Sequence, residues 1–216
     1  MARLVQKTPN DEKNLTLFSR NMSFLYKLLV SSFTLSVFSE GIILPIYAIF
    51  VQQVGGGILE ASGTMATFLI TEGIFTMLVH RLHWSRTHRI LLLILGWAIW
   101  TVGVGLYLIV SNILMLFLTQ ILTALGNALA NPIFEQELAA HTDNNTAQFA
   151  WGFFEGANSI AQGIAAVVGG VIAIKFGFSA LIWVMAITAT GSFLLILLYI
   201  WRRHLKNFDI SPDSSV

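Results

Sequence analysis

Six stretches of apolar residues, each about twenty or more long, follow one another along this chain. Each is long enough to cross the hydrocarbon core of a bilayer as a helix. They run from Leu28 to Val51, Ile58 to Val79, Ile90 to Val110, Ile113 to Phe134, Phe149 to Ile174 and Ala180 to Trp201. Of the 216 residues, 56% are hydrophobic and only 11% charged, whereas soluble domains carry about 25% charged residues. A single globular core cannot hide that much apolar surface behind so few charges. The pattern predicts an all-α membrane protein with six transmembrane helices. A polar tail covers residues 1–27, the membrane domain 28–201 and a second tail 202–216, whose segment Asn207 to Val216 reads as a natural end.

The first apolar run is too long for the 7–15-residue core of a signal peptide, and no small-residue cleavage site follows it. Before it, Asn14 to Tyr26 alternates polar and apolar residues, a juxtamembrane lead-in or a short helix lying on the membrane surface. Basic residues set the orientation. Arg3, Lys7, Lys13, Arg20, Lys27, Arg81, Arg86, Arg89, Arg202, Arg203 and Lys206 fall on one side and only Lys175 on the other. Both termini are therefore expected to be cytoplasmic, in a multi-pass protein of the plasma or inner membrane. The loop carrying Glu135, Glu137 and Asp143 is acidic, but acidic residues count little in this rule.

Several function classes are excluded. There is no cysteine, hence no disulfide, thiolate metal site or cysteine nucleophile. No histidine or aspartate lies within a span, so neither a Ser–His hydrolase, a zinc protease nor paired-aspartate chemistry can be assembled there. His80 and His83 stand among arginines and read as an interfacial basic loop rather than a metal site. A net charge of +1 does not suit nucleic-acid binding. The expectation is a protein that is no enzyme and has no cofactor, no metal and no nucleic-acid partner.

Three glutamates lie well inside spans: Glu40, Glu72 and Glu155. Placing an acid at the bilayer centre costs about 3 kcal/mol, and each Leu, Ile, Phe or Val returns roughly 0.3–0.6. The first span has fourteen of these, worth about 6 kcal/mol, so it inserts despite Glu40. Helical spacing gives the acids company. Ser32, Ser36 and Glu40 share one stripe, as do Gln120, Thr123, Asn127 and Asn131 on the fourth span, and Trp151, Glu155, Asn158 and Gln162 on the fifth. One shared interior cavity would explain all three. The third span has no such stripe and the sixth only Thr188, Thr190 and Ser192, so both are expected to pack or face lipid. With no Lys or Arg inside any span, the cavity should favour protons or cationic solutes over anions. The alternative for each glutamate is a neutral carboxyl bonded to a neighbouring helix.

Gly152, Gly156, Gly163, Gly169 and Gly170 make the fifth span glycine-rich, which suits close helix packing in lipid. Pro45-Ile46-Tyr47 in the first span matches Pro132-Ile133-Phe134 in the fourth, and a polar residue stands five positions before each proline, Glu40 and Asn127. Both prolines are expected to kink their helices.

Six spans with a basic loop after the second resemble one half, the N-terminal half, of a major facilitator superfamily transporter. The fullest stretch of likeness is Gly163-Ile-Ala-Ala-Val-Val-Gly169-Gly170 with Phe176-Gly177-Phe178 after it; Glu40-Gly41…Pro45 and Gly126-Asn127…Asn131-Pro132 are similar to the family's first and fourth helices. The loop His80 to Arg89 keeps the family's basic residues but not its aspartate or glycines, Leu122 stands where an arginine is usual, and Ala165-Ala166 replaces the antiporter Gly-Pro. The resemblance implies two inverted three-helix repeats and a cavity lined by helices one, two, four and five. It also implies a solute or proton site from Glu40, Glu72, Asn127, Asn131, Glu155, Asn158 and Gln162. Gating would fall to Arg81, Arg86 and Arg89, and packing or kinking to Gly41, Pro45, Gly126, Pro132, Gly163, Gly169 and Gly170. The function expected is transport of a small solute by a parallel homodimer of six-helix halves. One half of a split transporter, or a membrane scaffold that keeps the fold without the chemistry, are the alternatives.

Overall fold

The computed structural model describes residues 23–81, 85–142 and 147–209. Residues 1–22 with most of the Asn14 to Tyr26 lead-in, His83, Asp143 to Asn145, the side chains of Arg86 and Lys206, and the tail from 210 lie outside them. The described chain is helical: α1 (Phe24–Ile43), a 3-10 turn (Leu44–Ile46), α2 (Tyr47–Gln53), α3 (Ile58–Arg81), α4 (Arg86–Leu106), α5 (Ile113–Ala140) and α6 (Ala147–Asp209). Local signals fix several ends. The side chains of Ser23, Ser85 and Asn112 cap α1, α4 and α5, each accepting a first-turn backbone N–H.

Pro45 ends α1, because it has no N–H for the Gly41 carbonyl and its ring crowds the preceding turn. The backbone tightens into the 3-10 turn before α2 resumes. Pro132 lies inside α5, which continues through it as one helix. Hydropathy also misplaced two ends. The α4 helix stops at Leu106 rather than Val110, and α5 runs past Phe134 through Glu135–Ala140, good helix formers that hydropathy ignores.

Among the described residues, five runs are long and apolar enough to cross a membrane: Phe24–Gln53, Ile58–Arg81, Thr87–Leu106, Ile113–Ala140 and Ala147–Leu205. The last joins the expected fifth and sixth spans, and it is broken at Gly177, whose φ of 80° and ψ of 173° are not helical. Glycine takes that conformation without the Cβ clash other residues would meet. Contacts with α1 give the direction of each limb. The Tyr26 hydroxyl donates to the Ala150 carbonyl (2.8 Å) and Thr34 donates to Asn158 Oδ1 (2.9 Å), both pairs 124 residues apart. A constant offset means that α1 and the first limb, 147–176, run parallel. Against the second limb the order inverts: Ser39 donates to the Met185 carbonyl and Ser192 to the Ser32 carbonyl. The chain doubles back at Gly177.

Packing places α1 against both limbs of α6, with α4 and α3 each against α5. Small residues permit the close crossings. A Cβ added to Gly41 would lie 3.0 Å from the Ala165 Cβ, one on Gly126 would press the Trp100 backbone, and one on Gly169 would meet the Ile42 backbone. The aromatic centre holds Phe33 stacked on Phe134 at 4.7 Å, flanked by Trp97 and Phe154. By contrast α3 is nearly bare, burying only Ala61, Thr64 and Val79. At one end of the bundle Arg202 lies over the Phe24 ring, Arg203 meets Glu137 and Arg89 donates to Gln136. That end therefore gathers the starts of α1, α4 and α6 with the ends of α5 and α6. Lys175 stands beside the Gly177 turn.

Candidate functional site

Two acids on different helices meet across α5. Asn127 and Asn131 are four residues apart, so both project from one face of α5. Asn131 Nδ2 donates to Glu72 Oε1 of α3 at 3.2 Å, and Asn127 lines one cavity together with Glu40 of α1. From the other side Trp100 of α4 donates its indole N–H to Glu40 Oε1 at 2.8 Å. An indole N–H is donor-only, so Trp100 can orient the carboxyl but cannot take a proton from it. The role of α4 is a correction. Expected only to pack or face lipid, it supplies the best-defined partner of Glu40, with Trp97 and Tyr107 nearby. The one signal in the sequence is the pair Trp97 and Trp100 at mid-span, away from the interfacial level that tryptophan favours.

Two cavities of about 90 and 70 Å³ flank the Glu40–Trp100 contact. Ser36, Asn127 and Asn131 line the smaller. The larger reaches along α1 to Tyr47, Tyr107 and Gln120. There the Tyr47 hydroxyl donates to Thr64 Oγ1 (2.8 Å) and accepts from Gln120 Nε2 (2.7 Å), and Tyr107 lines the same cavity. At roughly 30 Å³ per water, each cavity has room for two or three. A drug-sized ligand needs about 300–1,000 Å³, so these chambers suit water, protons or a small cation. A wider groove of about 680 Å³ between α1 and the limbs of α6 is apolar apart from Lys27, Ser31 and Thr34, and none of the three acids lines it.

The remaining candidates divide. Asn158 is buried and bonded to Thr34, while Glu155 and Gln162 of the same stripe are exposed and line neither cavity. The Ser32 and Ser36 hydroxyls turn back onto the carbonyls of Leu29 and Phe33. The three polar stripes therefore do not meet in one interior space. Periodicity had identified the face of the first limb of α6 but not the direction that face looks. Gly163 and Gly170, expected to pack with Gly41, Gly126 and Gly169, have open space where a Cβ would sit.

Of the loop arginines, Arg81 is exposed and Arg89 is tied to Gln136 at 3.1 Å. A denser cluster escaped the sequence reading: Glu137 of α5 accepts from both Tyr199 (2.7 Å) and Arg203 of α6. Its members are far apart along the chain, and no local spacing links them. Arg203→Gln removes the charge facing a mostly buried carboxylate and is expected to cost about 2 kcal/mol. Thermal melts of purified protein, followed by circular dichroism, check this; an unchanged midpoint would show that the pair does not hold the two helix ends.

The family model described as Major Facilitator Superfamily matches residues 29–212. No curated protein matches the chain.

Proposed function

The chain belongs to the Major Facilitator Superfamily, and on that premise we propose that it is a membrane transporter of a small solute, selecting protons or cations over anions. The observation that carries this reading is that Glu40 shares a cavity with Asn127 and Asn131, while Asn131 also binds Glu72 from a separate helix. No lysine or arginine lines the two cavities beside Glu40, and intramembrane acids concentrate on ion and substrate pathways. In this reading the limbs of α6 are two crossings, making six in all, arranged as two inverted three-helix repeats. The basic end with both termini is cytoplasmic.

A second copy, parallel to the first, completes the transporter. The support is what a lone bundle leaves uncovered. Along the first limb of α6, Gly152, Gly156, Gly163 and Gly170 open onto empty space, and Glu155 and Gln162 are exposed beside them. An acid facing hydrocarbon is costly, whereas small residues are what lipid-embedded helices use to approach one another. The solute site then lies between the two bundles, and Glu155, Gln162 and the bare face of α3 contribute to its walls.

Vesicles holding the purified protein are expected to take up organic cations in a pH-gradient-dependent way, and Glu40→Gln and Glu155→Gln to abolish that uptake. Native mass spectrometry and cross-linking should give a dimer. Tight binding of an anion that neither substitution alters, or a monomer mass throughout, would overturn the reading. The loop from His80 to Arg89, lacking the family's aspartate and glycines, favours a second reading, a scaffold without transport. It predicts no flux and indifference to glutamine at all three acids.

A further inference from the structure

The groove between α1 and the limbs of α6 is built unlike the two small chambers beside Glu40. Along α1 it follows one helical face, Lys27, Ser31, Thr34 and Phe38, spaced three or four residues apart. From Lys27 to Phe38 the helix rises about 16 Å, half the roughly 30 Å depth of a hydrocarbon core. The groove therefore reaches from one face of the membrane to its midplane, the depth of a single leaflet. Its walls are apolar: Val30 and Leu35 of α1, Ala157 and Ala161 of the first limb and Leu195 of the second. Ala157 and Ala161 stand one turn apart, and their small side chains leave depth that larger ones would close. Thr34 already donates its hydroxyl to Asn158 at 2.9 Å.

The charge of the groove stands at one end. Lys27 is exposed at its mouth. Phe24 precedes it by three residues on the same side of α1. The Arg202 guanidinium, from the second limb, lies 5.8 Å from the centre of the Phe24 ring and 5.3 Å from that of Trp201. Among the described residues neither cation is paired with an acid; the ion pair at this end belongs to Arg203 and Glu137. Two cations and two exposed aromatic rings thus gather at the level where a membrane places its headgroups.

We propose that the groove holds one anionic phospholipid of the leaflet at the basic end, its phosphate between Lys27 and Arg202 and one acyl chain lying along α1 as far as Phe38. The two parts of the ligand are recognised separately. The cations attract the headgroup, and the exposed Ser31, one turn inward from Lys27, stands at the depth of the glycerol esters. The chain covers the apolar wall over the depth of its own leaflet. A zwitterionic lipid offers the same chain without the net charge, and free phosphate offers charge with nothing to fill the groove. A second copy of the chain is the less fitting occupant, because Phe153, Ala157 and Ala161 form a face of the first limb apart from the stripe of Glu155 and Gln162. The site requires the chain to lie in a bilayer and does not depend on its moving a solute.

The full chain in detergent micelles, titrated with dioleoyl phosphatidylglycerol or dioleoyl phosphatidylcholine, tests this by native mass spectrometry, which counts lipids retained per chain. One phosphatidylglycerol should stay bound at concentrations where phosphatidylcholine does not. Lys27→Gln and Arg202→Gln should each weaken that binding about fivefold. Ala161→Phe, which fills the groove and keeps both cations, should abolish it, and Lys175→Gln, at the opposite end, should leave it unchanged. Short-chain phosphatidylglycerol should bind more weakly than the dioleoyl lipid, and inorganic phosphate should not displace it. Equal retention of the two dioleoyl lipids would overturn the proposal, as would indifference to both glutamine substitutions or short chains binding as tightly as long ones. Loss of a dimer instead of a lipid in Ala161→Phe would give the groove to a second copy and equally overturn it. Should Ala161→Phe not fold, the comparison of chain lengths on the unaltered protein tests the groove alone.

Discussion

Gly169→Val is expected to leave little or no folded protein. A Cβ at this position would press into the backbone of α1 at Ile42, with the Ile42 carbonyl carbon 2.8 Å away and its Cα at 3.0 Å. Backbone atoms cannot swing aside as a side-chain tip can. The first limb of α6 would have to move off α1 and give up the parallel register held by the Tyr26–Ala150 and Thr34–Asn158 bonds. Overpacking a tight core typically costs about 1–3 kcal/mol and occasionally more. This site belongs at the top of that range, because two main chains are forced apart along a helix that contacts both limbs. Size-exclusion profiles in detergent, wild type against Gly169→Val, measure it; a monodisperse peak of normal height would refute the close crossing.

The neighbouring glycines give the opposite sign. Gly163→Ala and Gly170→Ala place a methyl where nothing stands. Each also removes the conformational cost of glycine in a helix, about 0.5–1 kcal/mol. A single bundle should therefore be slightly stabilised, while the proposed dimer should weaken. One limb thus carries two kinds of glycine, one kind packed inside the chain and the other facing outward.

That division could not be read from the sequence. Five glycines in one span signal close approach, but the signal is equal for a partner inside the chain and one outside it. The same holds for the stripe of Glu155, Asn158 and Gln162. Helical period assigned them to one side of the helix, yet of the three Asn158 alone is buried, bonded to Thr34 of α1. Glu40 and Asn127 do face each other, because both helices are held by small residues at the crossings and each has one polar strip to bury. The apolar runs and the basic asymmetry were legible for a simple reason: lipid imposes them on the chain itself, residue by residue. Long-range contacts such as Glu137 with Tyr199 and Arg203 obey no such local constraint. Trp100 was hidden for another reason, since an apolar ring in an apolar span says nothing of where its one N–H points.

Trp100 is where stability and function can be separated. Its side chain is 3% exposed, and Trp100→Ala should cost about 3–5 kcal/mol, from the cavity left at the α1–α4–α5 junction. Trp100→Phe keeps most of the ring but removes the donor to Glu40, and Glu40→Leu removes the acceptor and leaves the indole N–H without a partner. Each single change should therefore cost about 1–3 kcal/mol. Removing both partners together leaves neither group orphaned, so Trp100→Phe with Glu40→Leu should cost less than the sum of the two. A coupling of about 0.5–3 kcal/mol is typical of groups in direct contact. Circular-dichroism melts of the four proteins give the cycle; strict additivity would mean the 2.8 Å contact does not exist in the folded protein. Solute uptake into vesicles should not follow the recovery. The double variant recovers part of the summed loss but has no carboxyl at position 40, so uptake stays abolished. Trp100→Phe alone, less stable but still carrying Glu40, retains part of it. If instead uptake tracked the melting temperature across the four proteins, Glu40 would be a structural hydrogen-bonding group and nothing more.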